Sequence, residues 1–185
     1  IQSAVDQVKN LHSLSMEEKL KLKVDEDTTG YVPIKSTIYV TSNAGDNNKF
    51  DLNENFRIVR ERPLNHPSIK ARRRFTGPNK WPSNDLLPNF KKVMLEYYSE
   101  MENLGRCLLP LYARALDLKP DYFDDMFTDP TWFTRNVHYP AIKAEENQFG
   151  ISPHSDHGFI TLLPISEVPG LEVKTQAGNW MKGDY

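Results

Sequence analysis

The tripeptide His154-Ser155-Asp156 places an imidazole and a carboxylate two residues apart. In an extended segment, side chains at positions i and i+2 point to the same side, so both groups can reach one cation. Two histidines and one carboxylate on one side of a metal form the ligand set of non-haem Fe(II) oxygenases. Chance alone gives about 0.7 such pairs in a chain with five histidines and 25 acidic residues, so the flanking sequence has to support the interpretation.

The residues after this pair predict short β-strands. Gly158 lets the backbone turn beside a bound ion, and residues 158–165 form a short, β-branched and apolar segment that is typical of a buried strand. Residues 171–175 alternate like a second strand between turn signals at 168–170 and 177–179. Short strands with frequent turns favour an all-β sandwich or jelly roll for this part of the chain.

Composition limits the class of protein. A chain of 185 residues suits one domain, and a net charge of −2 gives no general attraction to nucleic acid or anionic membrane. No apolar run approaches the length of a membrane-spanning helix. The single cysteine, Cys107, excludes a disulfide within the chain, which fits a reducing compartment and predicts a cytoplasmic protein. Cys107 lies in a helical leucine pattern, which predicts a buried thiol.

The part of the chain up to residue 130 is mainly helical by its periodicity. Residues 1–11 predict an opening helix, and Ser15-Met16-Glu17-Glu18 is a capping box that begins a second one. A long amphipathic helix is expected over residues 87–118, with Pro110 kinking or splitting it. Residues 132–139 then predict a strand, and the chain continues as β-structure to its end.

Two polar segments interrupt this pattern. Residues 41–48 are turn-forming and predict an exposed loop. Residues 66–80 carry five basic side chains, which are compatible with an acidic-substrate patch but favour a solvated face, because acidic residues balance the total charge.

Seven short patterns, in the same order, resemble those of the Fe(II)- and 2-oxoglutarate-dependent dioxygenase superfamily, and more narrowly its isopenicillin N synthase-like branch. They are Glu17-Glu18-Lys19, Gly30-Tyr31-Val32-Pro33, Asp51-Leu52-Asn53-Glu54-Asn55-Phe56, Gly77-Pro78-Asn79-Lys80-Trp81-Pro82, Thr134-Arg135-Asn136-Val137-His138-Tyr139-Pro140, His154-Ser155-Asp156-His157-Gly158 and Val168-Pro169-Gly170-Leu171-Glu172-Val173. Each pattern is loose, but seven in the correct order are specific.

The resemblance implies a fold of mixed α and β structure. We expect a distorted jelly roll, or double-stranded β-helix, braced by long helices and incomplete at both ends. Residues 1–185 would form a single, truncated oxygenase domain, with a mainly helical part and substrate loop at 1–130 and the first jelly-roll strands at 131–185. The family's second iron-binding histidine and its Arg-x-Ser anchor for 2-oxoglutarate come later in the sequence, and nothing after Asp156 matches them.

The resemblance also assigns roles to residues. His154 and Asp156 are expected to bind iron. Tyr139 aligns with a family tyrosine that helps to hold the co-substrate or substrate carboxylate, although a core tyrosine bonded to the backbone remains an alternative. Arg135 is in phase with Tyr139 and either binds an anionic substrate or pairs with a carboxylate, whereas His138 points the other way and is expected to be structural.

The implied activity is that of a non-haem iron oxygenase acting on a small molecule. Fe(II), 2-oxoglutarate and O₂ would couple oxidative decarboxylation to hydroxylation, desaturation or cyclisation, and this fragment alone would be inactive. We expect no nucleic-acid or membrane partner, and the sequence leaves the oligomeric state open. Two alternatives also stay open: a 2-oxoglutarate-independent iron oxidase of the same fold, and a metal-free jelly-roll binding module.

Overall fold

The computed structural model describes residues 1–38, 48–164, 166 and 168–183. Within these residues the chain divides into two compact units, Ile1–Ser155 and Asp156–Tyr185. The loop expected over residues 41–48 lies, except for its last residue, outside the described residues.

The first unit combines helices with a three-stranded antiparallel sheet of order β1-β2-β3. Its elements in chain order are α1 (Gln2–His12), α2 (Met16–Lys21), β1 (Gly30–Val32), β2 (Glu54–Val59), α3 (Pro67–Lys70), α4 (Phe90–Ala115), a 3₁₀ helix (Asp125–Phe127) and β3 (Phe133–His138).

The strand register separates two faces of this sheet. Tyr31 pairs with Phe56, and Phe56 pairs with Asn136, so these three side chains share one face, which we call the core face. Arg57 pairs with Arg135 on the opposite face, which we call the arginine face. Each strand therefore delivers alternate side chains to two different environments.

The core face packs against α1 and α4. Leu11 of α1 and Met94 of α4 are buried there, and the rings of Phe56 and Phe90 meet edge to face with their centroids 6.0 Å apart. The Tyr98 hydroxyl of α4 donates to Asn136 Oδ1 at 2.7 Å. Burial of these large apolar groups fixes the sheet on the helices, and the polar contact fixes its register.

A charged cluster ties the middle of α4 to the sheet. Glu102 of α4 accepts hydrogen bonds from the Trp132 indole at 2.8 Å and from Arg60 Nε at 3.0 Å, and Arg106 also donates to it. Burial alone raises the pKa of Glu102, but these hydrogen bonds and the charge of Arg60 outweigh it and hold the pKa below its ordinary value.

The helical predictions are largely confirmed. α1 begins and ends within one residue of expectation, and the Ser15 side chain accepts from the Glu18 N–H at the start of α2, as a capping box requires. The long helix is α4, and it runs through Pro110 without being split. The prediction for Cys107 was wrong, because its thiol lies on the exposed side of α4.

Strand β3 matches the predicted strand within a residue at each end, but β2 was not predicted. Five of its six residues are buried, on both faces of the sheet. Residues 55–58 alternate between polar and apolar side chains, which was a usable but short signal of this strand.

The second unit contains a β-hairpin. β4 (Glu172–Lys174) pairs with β5 (Trp180–Lys182) around a turn in which Gly178 has a φ of 86°. The strand and turn predicted here are confirmed. The buried strand predicted over residues 158–165 was wrong for the residues described: 158–164 form no strand, and all but Ile160 are exposed. A strand needs a neighbour for its backbone hydrogen bonds, and none of the strands described pairs with these residues.

None of the helices in the described residues has the length and apolar character needed to cross a membrane.

Candidate functional site

His154 lies in an irregular segment at the end of the first unit and is half-buried. Its Nδ1 atom is 2.8 Å from the carbonyl oxygen of Ser152. A carbonyl oxygen only accepts hydrogen bonds, so Nδ1 carries the proton, and in the neutral ring the lone pair belongs to Nε2. Metal-binding histidines are commonly oriented by such a bond from the other ring nitrogen, so His154 fits the role of an iron ligand.

The segment that leads to His154 is fixed to the start of β2. Asp51 Oδ1 accepts two hydrogen bonds from Ser152, one from its backbone N–H at 2.9 Å and one from its hydroxyl at 2.6 Å. Asn53 donates to the Gly150 carbonyl at 2.7 Å, and the Leu52 N–H donates to the Phe149 carbonyl at 2.9 Å. Asp51, Asn53 and Ser152 are all buried. The acidic motif at residues 51–56 therefore positions the chain just before the first expected ligand.

Asp156, the second expected ligand, is exposed at the beginning of the second unit. The two expected ligands thus belong to different compact units, and each supplies a donor atom of the kind that Fe(II) binds, an imidazole nitrogen and a carboxylate oxygen. Residues 154–157 belong to no helix or strand.

Tyr139, expected to contact the co-substrate, directly follows β3 and is 53% exposed. Its ring lies against the same segment: a Cβ atom on Gly150 would be 2.8 Å from Tyr139 Cδ1. Glycine at this position allows the close contact. The Tyr139 ring therefore packs against Gly150, four residues before His154. The Asn53 amide holds the same residue by donating to its carbonyl oxygen.

Arg135 lies half-buried on the arginine face, as the alternation in the sequence predicted. Directly opposite is Arg57, whose Nε donates to Asn55 Oδ1 at 3.3 Å. Arg57 was missed in the sequence, although its phase with Asn53 and Asn55 in the acidic motif was a usable signal. The two paired arginines place two positive charges on this face of the sheet.

The most densely bonded acidic group on the core face is Glu54. Its Oε2 accepts from Lys19 Nζ at 2.9 Å and from the Tyr31 hydroxyl, and its Oε1 is 2.8 Å from His138 Nδ1. Burial raises the pKa of Glu54, but the hydrogen bonds from Tyr31, His138 and Lys19 together lower it to about 2. This network joins α2, β1 and β3 through one carboxylate, and it confirms that His138 points away from the arginine face.

His12 completes a second group of metal-type donors on the core face. Donor atoms of His12, Glu54 and His138 all lie within 4.8 Å of one another. This set has the composition of a non-haem iron triad, but it does not fit a catalytic iron. The carboxylate is already bonded to Lys19 and Tyr31, and the side chain of His12 is only 4% exposed, whereas the catalytic ion needs open positions for co-substrate and O₂. Sequence reasoning missed the group because its members are far apart in the chain.

Comparisons with known proteins show which family the chain resembles. Residues 1–84 match the family model described as "non-haem dioxygenase in morphine synthesis N-terminal". The chain is 38% identical over 138 residues to clavatol oxidase claD of Penicillium crustosum, covering 70% of this chain and 41% of that protein. It is 32% identical over 172 residues to kihadalactone A synthase LFS of Citrus sinensis, covering 90% of this chain and 50% of that protein.

Solved structures have a similar fold. A 2OG-Fe(II) oxygenase family protein from Caulobacter crescentus superimposes with a TM-score of 0.77 at 29% identity, covering 97% of this chain and 55% of the other. A full-length protein from Neurospora crassa, solved in complex with alpha-KG, gives a TM-score of 0.75 at 25% identity, covering 98% of this chain and 55% of the other.

The chain spans about half the length of the curated relatives it matches. The family model, the relatives and the solved structures all point to the same group of proteins. By its sequence and its fold, this chain belongs to the Fe(II)- and 2-oxoglutarate-dependent dioxygenase superfamily.

Proposed function

We propose that the protein to which this chain belongs is an Fe(II)- and 2-oxoglutarate-dependent dioxygenase that oxidises a small molecule. The observation that carries the proposal is the orientation of His154. The Ser152 carbonyl fixes the proton on Nδ1, and the buried Asp51 holds Ser152 in place through two hydrogen bonds. Metal-binding histidines are commonly oriented in this way, by a hydrogen bond from the ring nitrogen that does not bind the metal.

His154 and Asp156 would hold the iron in this enzyme. Iron supplies the activation of O₂ that couples decarboxylation of 2-oxoglutarate, giving succinate and CO₂, to oxidation of a substrate C–H bond. In keeping with the family, we propose one oxygenase domain whose β part is a distorted jelly roll, with the arginine face of the β1-β2-β3 sheet turned toward its interior.

Tyr139 and Arg135 would bind carboxylates in that interior. The Tyr139 phenol is a hydrogen-bond donor on a ring that packs against Gly150, close in sequence to His154. Arg135 supplies a planar pair of donors that suits a carboxylate, and Arg57 beside it doubles the positive charge. This pairing supports a carboxylate partner, which is either 2-oxoglutarate itself or an acidic substrate.

Turnover of 2-oxoglutarate by the full-length protein tests the proposal. With Fe(II), O₂ and candidate substrates, wild-type protein should release succinate, and His154→Ala and Asp156→Ala should reduce the release to background. His66→Asn is a matched control, because His66 caps α3 through its ring and asparagine caps equally well. Succinate release that survives both ligand variants would exclude the proposed site.

The same assay separates the two alternatives. An iron oxidase that does not use 2-oxoglutarate would consume O₂ with substrate but release no succinate. A metal-free binding module would retain no iron after purification. The relatives named as 2-oxoglutarate-dependent dioxygenases favour neither alternative.

A further inference from the structure

The side chain of His12 contains a buried nitrogen whose role the oxygenase site does not explain. His12 Nε2 is 3.0 Å from the carbonyl oxygen of Asn136 and therefore carries the proton. Nδ1 then carries the lone pair, and it has no hydrogen-bond partner although the side chain is only 4% exposed. A buried acceptor without a partner is unfavourable, so this geometry calls for a donor or a cation.

The lone pair faces another acceptor. His12 Nδ1 lies 3.5 Å from Glu54 Oε1, and the ionised carboxylate has no proton to offer. Two acceptors that face each other across 3.5 Å repel unless a positive species lies between them.

His138 adds a third donor atom from the other side. Its Nδ1 is 2.8 Å from the same Glu54 Oε1, and its ring centroid is 5.4 Å from that of His12. The His138 side chain is 47% exposed, so the ring can transfer its proton to Nε2 on the solvent side and present a lone pair inward.

The spacing suits a small transition-metal ion. Zinc binds imidazole nitrogen and carboxylate oxygen at about 2.0–2.2 Å, so tetrahedral ligand atoms lie roughly 3.4 Å apart. The separation of 3.5 Å between His12 and Glu54 meets this value, the 2.8 Å contact of His138 with Glu54 is about 0.6 Å shorter, and all the donor atoms lie within 4.8 Å of one another.

We propose that His12, Glu54 and His138 form a second cation site, separate from His154 and Asp156, that binds one divalent ion such as Zn²⁺ through Glu54 Oε1 and the two Nδ1 atoms. The ion ties α1 to β2 and β3, and the fourth position faces solvent beside His138. Lys19 and Tyr31 remain on Glu54 Oε2, where they hold the carboxylate in place. The nearby ammonium of Lys19 opposes the added charge, so we expect micromolar rather than nanomolar affinity.

Cobalt binding tests the site, because Co²⁺ replaces Zn²⁺ at such ligands and has visible ligand-field bands. The full-length protein carries His154→Ala and Asp156→Ala, which removes the proposed iron site, and is stripped of metal. We expect one equivalent of Co²⁺ with bands of four- or five-coordinate type and a rise in Tm. Adding His138→Gln or His12→Gln should weaken binding by at least about tenfold, and adding His66→Asn should not change it.

Two results would overturn the proposal. One is the absence of Co²⁺ binding in the His154→Ala, Asp156→Ala protein at about millimolar metal. The other is binding that neither His12→Gln nor His138→Gln weakens. If those variants fail to fold, X-ray absorption of the zinc-loaded protein decides the question: two imidazoles in the first shell support the site, and fewer than two exclude it. These readouts do not depend on dioxygenase activity, so failure of the proposed function leaves them interpretable.

Discussion

Replacement of Asp51 should loosen the segment that carries His154 while leaving the iron ligands themselves unchanged. Asp51 Oδ1 is the shared acceptor for the Ser152 backbone N–H and hydroxyl, and both partners are buried. Asp51→Ala removes the acceptor and leaves two buried donors without a partner. Asp51→Asn keeps an oxygen of the same shape but removes its charge.

The size of the effect follows from these two bonds. Hydrogen bonds to a charged group contribute about 1.5–3 kcal/mol each, and neutral ones about 0.5–1.5 kcal/mol. Asp51→Ala should therefore cost about 3–6 kcal/mol of the free energy that holds the segment, and Asp51→Asn about 2 kcal/mol. If this whole loss of free energy appears as weaker iron binding, the Asp51→Asn variant should bind Fe(II) about 30-fold more weakly.

Anaerobic Fe(II) titration of the full-length protein, together with urea unfolding, measures both parts of this effect. Lys49→Gln is the matched control: Lys49 also joins this region to the segment before His154, through Glu145 at 3.0 Å and the Glu146 carbonyl at 2.8 Å, but both contacts lie at the surface, where the Glu145 side chain is 70% exposed. An exposed pair contributes little, so this control should change the free energy of unfolding by less than about 1 kcal/mol. Unchanged Fe(II) affinity in Asp51→Ala would refute the view that Asp51 positions His154.

Three further predictions concern the frame of the site. Lys19→Met should lower the free energy of unfolding by about 3–5 kcal/mol in urea titrations, because it leaves the buried Glu54 carboxylate without its cation. Gly150→Ala should raise the KM for 2-oxoglutarate at least threefold, because the new methyl group would displace the Tyr139 ring. Ionised Glu102 should stabilise the fold fully above about pH 4.5, its ordinary pKa, and this stabilisation should disappear as the pH falls through the lower pKa of the folded protein. Glu102→Gln should therefore flatten the dependence of Tm on pH in this range.

Each of these variants has a matched control in the same chain. Lys21→Met removes an exposed lysine of the same helix, Gly105→Ala adds a methyl group where no atom lies within 4 Å, and Glu100→Gln neutralises an exposed acid on α4. All three should leave the corresponding measurement almost unchanged. The structural explanation would be contradicted if a control substitution changed the measurement as much as the test substitution did. It would also be contradicted if the Lys19→Met protein were as stable as wild type.

Local patterns in the sequence were enough to predict the helices and strands that depend on residue spacing within one segment. The opening helix, the capping box at Ser15, the long helix and strand β3 each depend on spacing within one segment. Simple alternation along β3 also predicted that Arg135 and His138 lie on opposite faces of the sheet.

Features that depend on distant partners could not be obtained in this way. The burial of β2 on both faces depends on the elements that pack against it, and the network at Glu54 reaches His138, which lies 84 positions further along the chain. Residues 158–164 have the composition of a strand, but the described residues give them no neighbouring strand with which to pair. The composition of a segment shows whether it can form a strand, and the presence of a neighbouring strand decides whether it does.

The most direct test of the account is anaerobic addition of 2-oxoglutarate to the full-length protein loaded with Fe(II). A keto acid that chelates iron gives a visible charge-transfer band. The account predicts this band in the wild-type protein, and its loss in His154→Ala and in Asp156→Ala but not in His66→Asn. A band that persists in both ligand variants would show that iron binds elsewhere and would contradict the central claim.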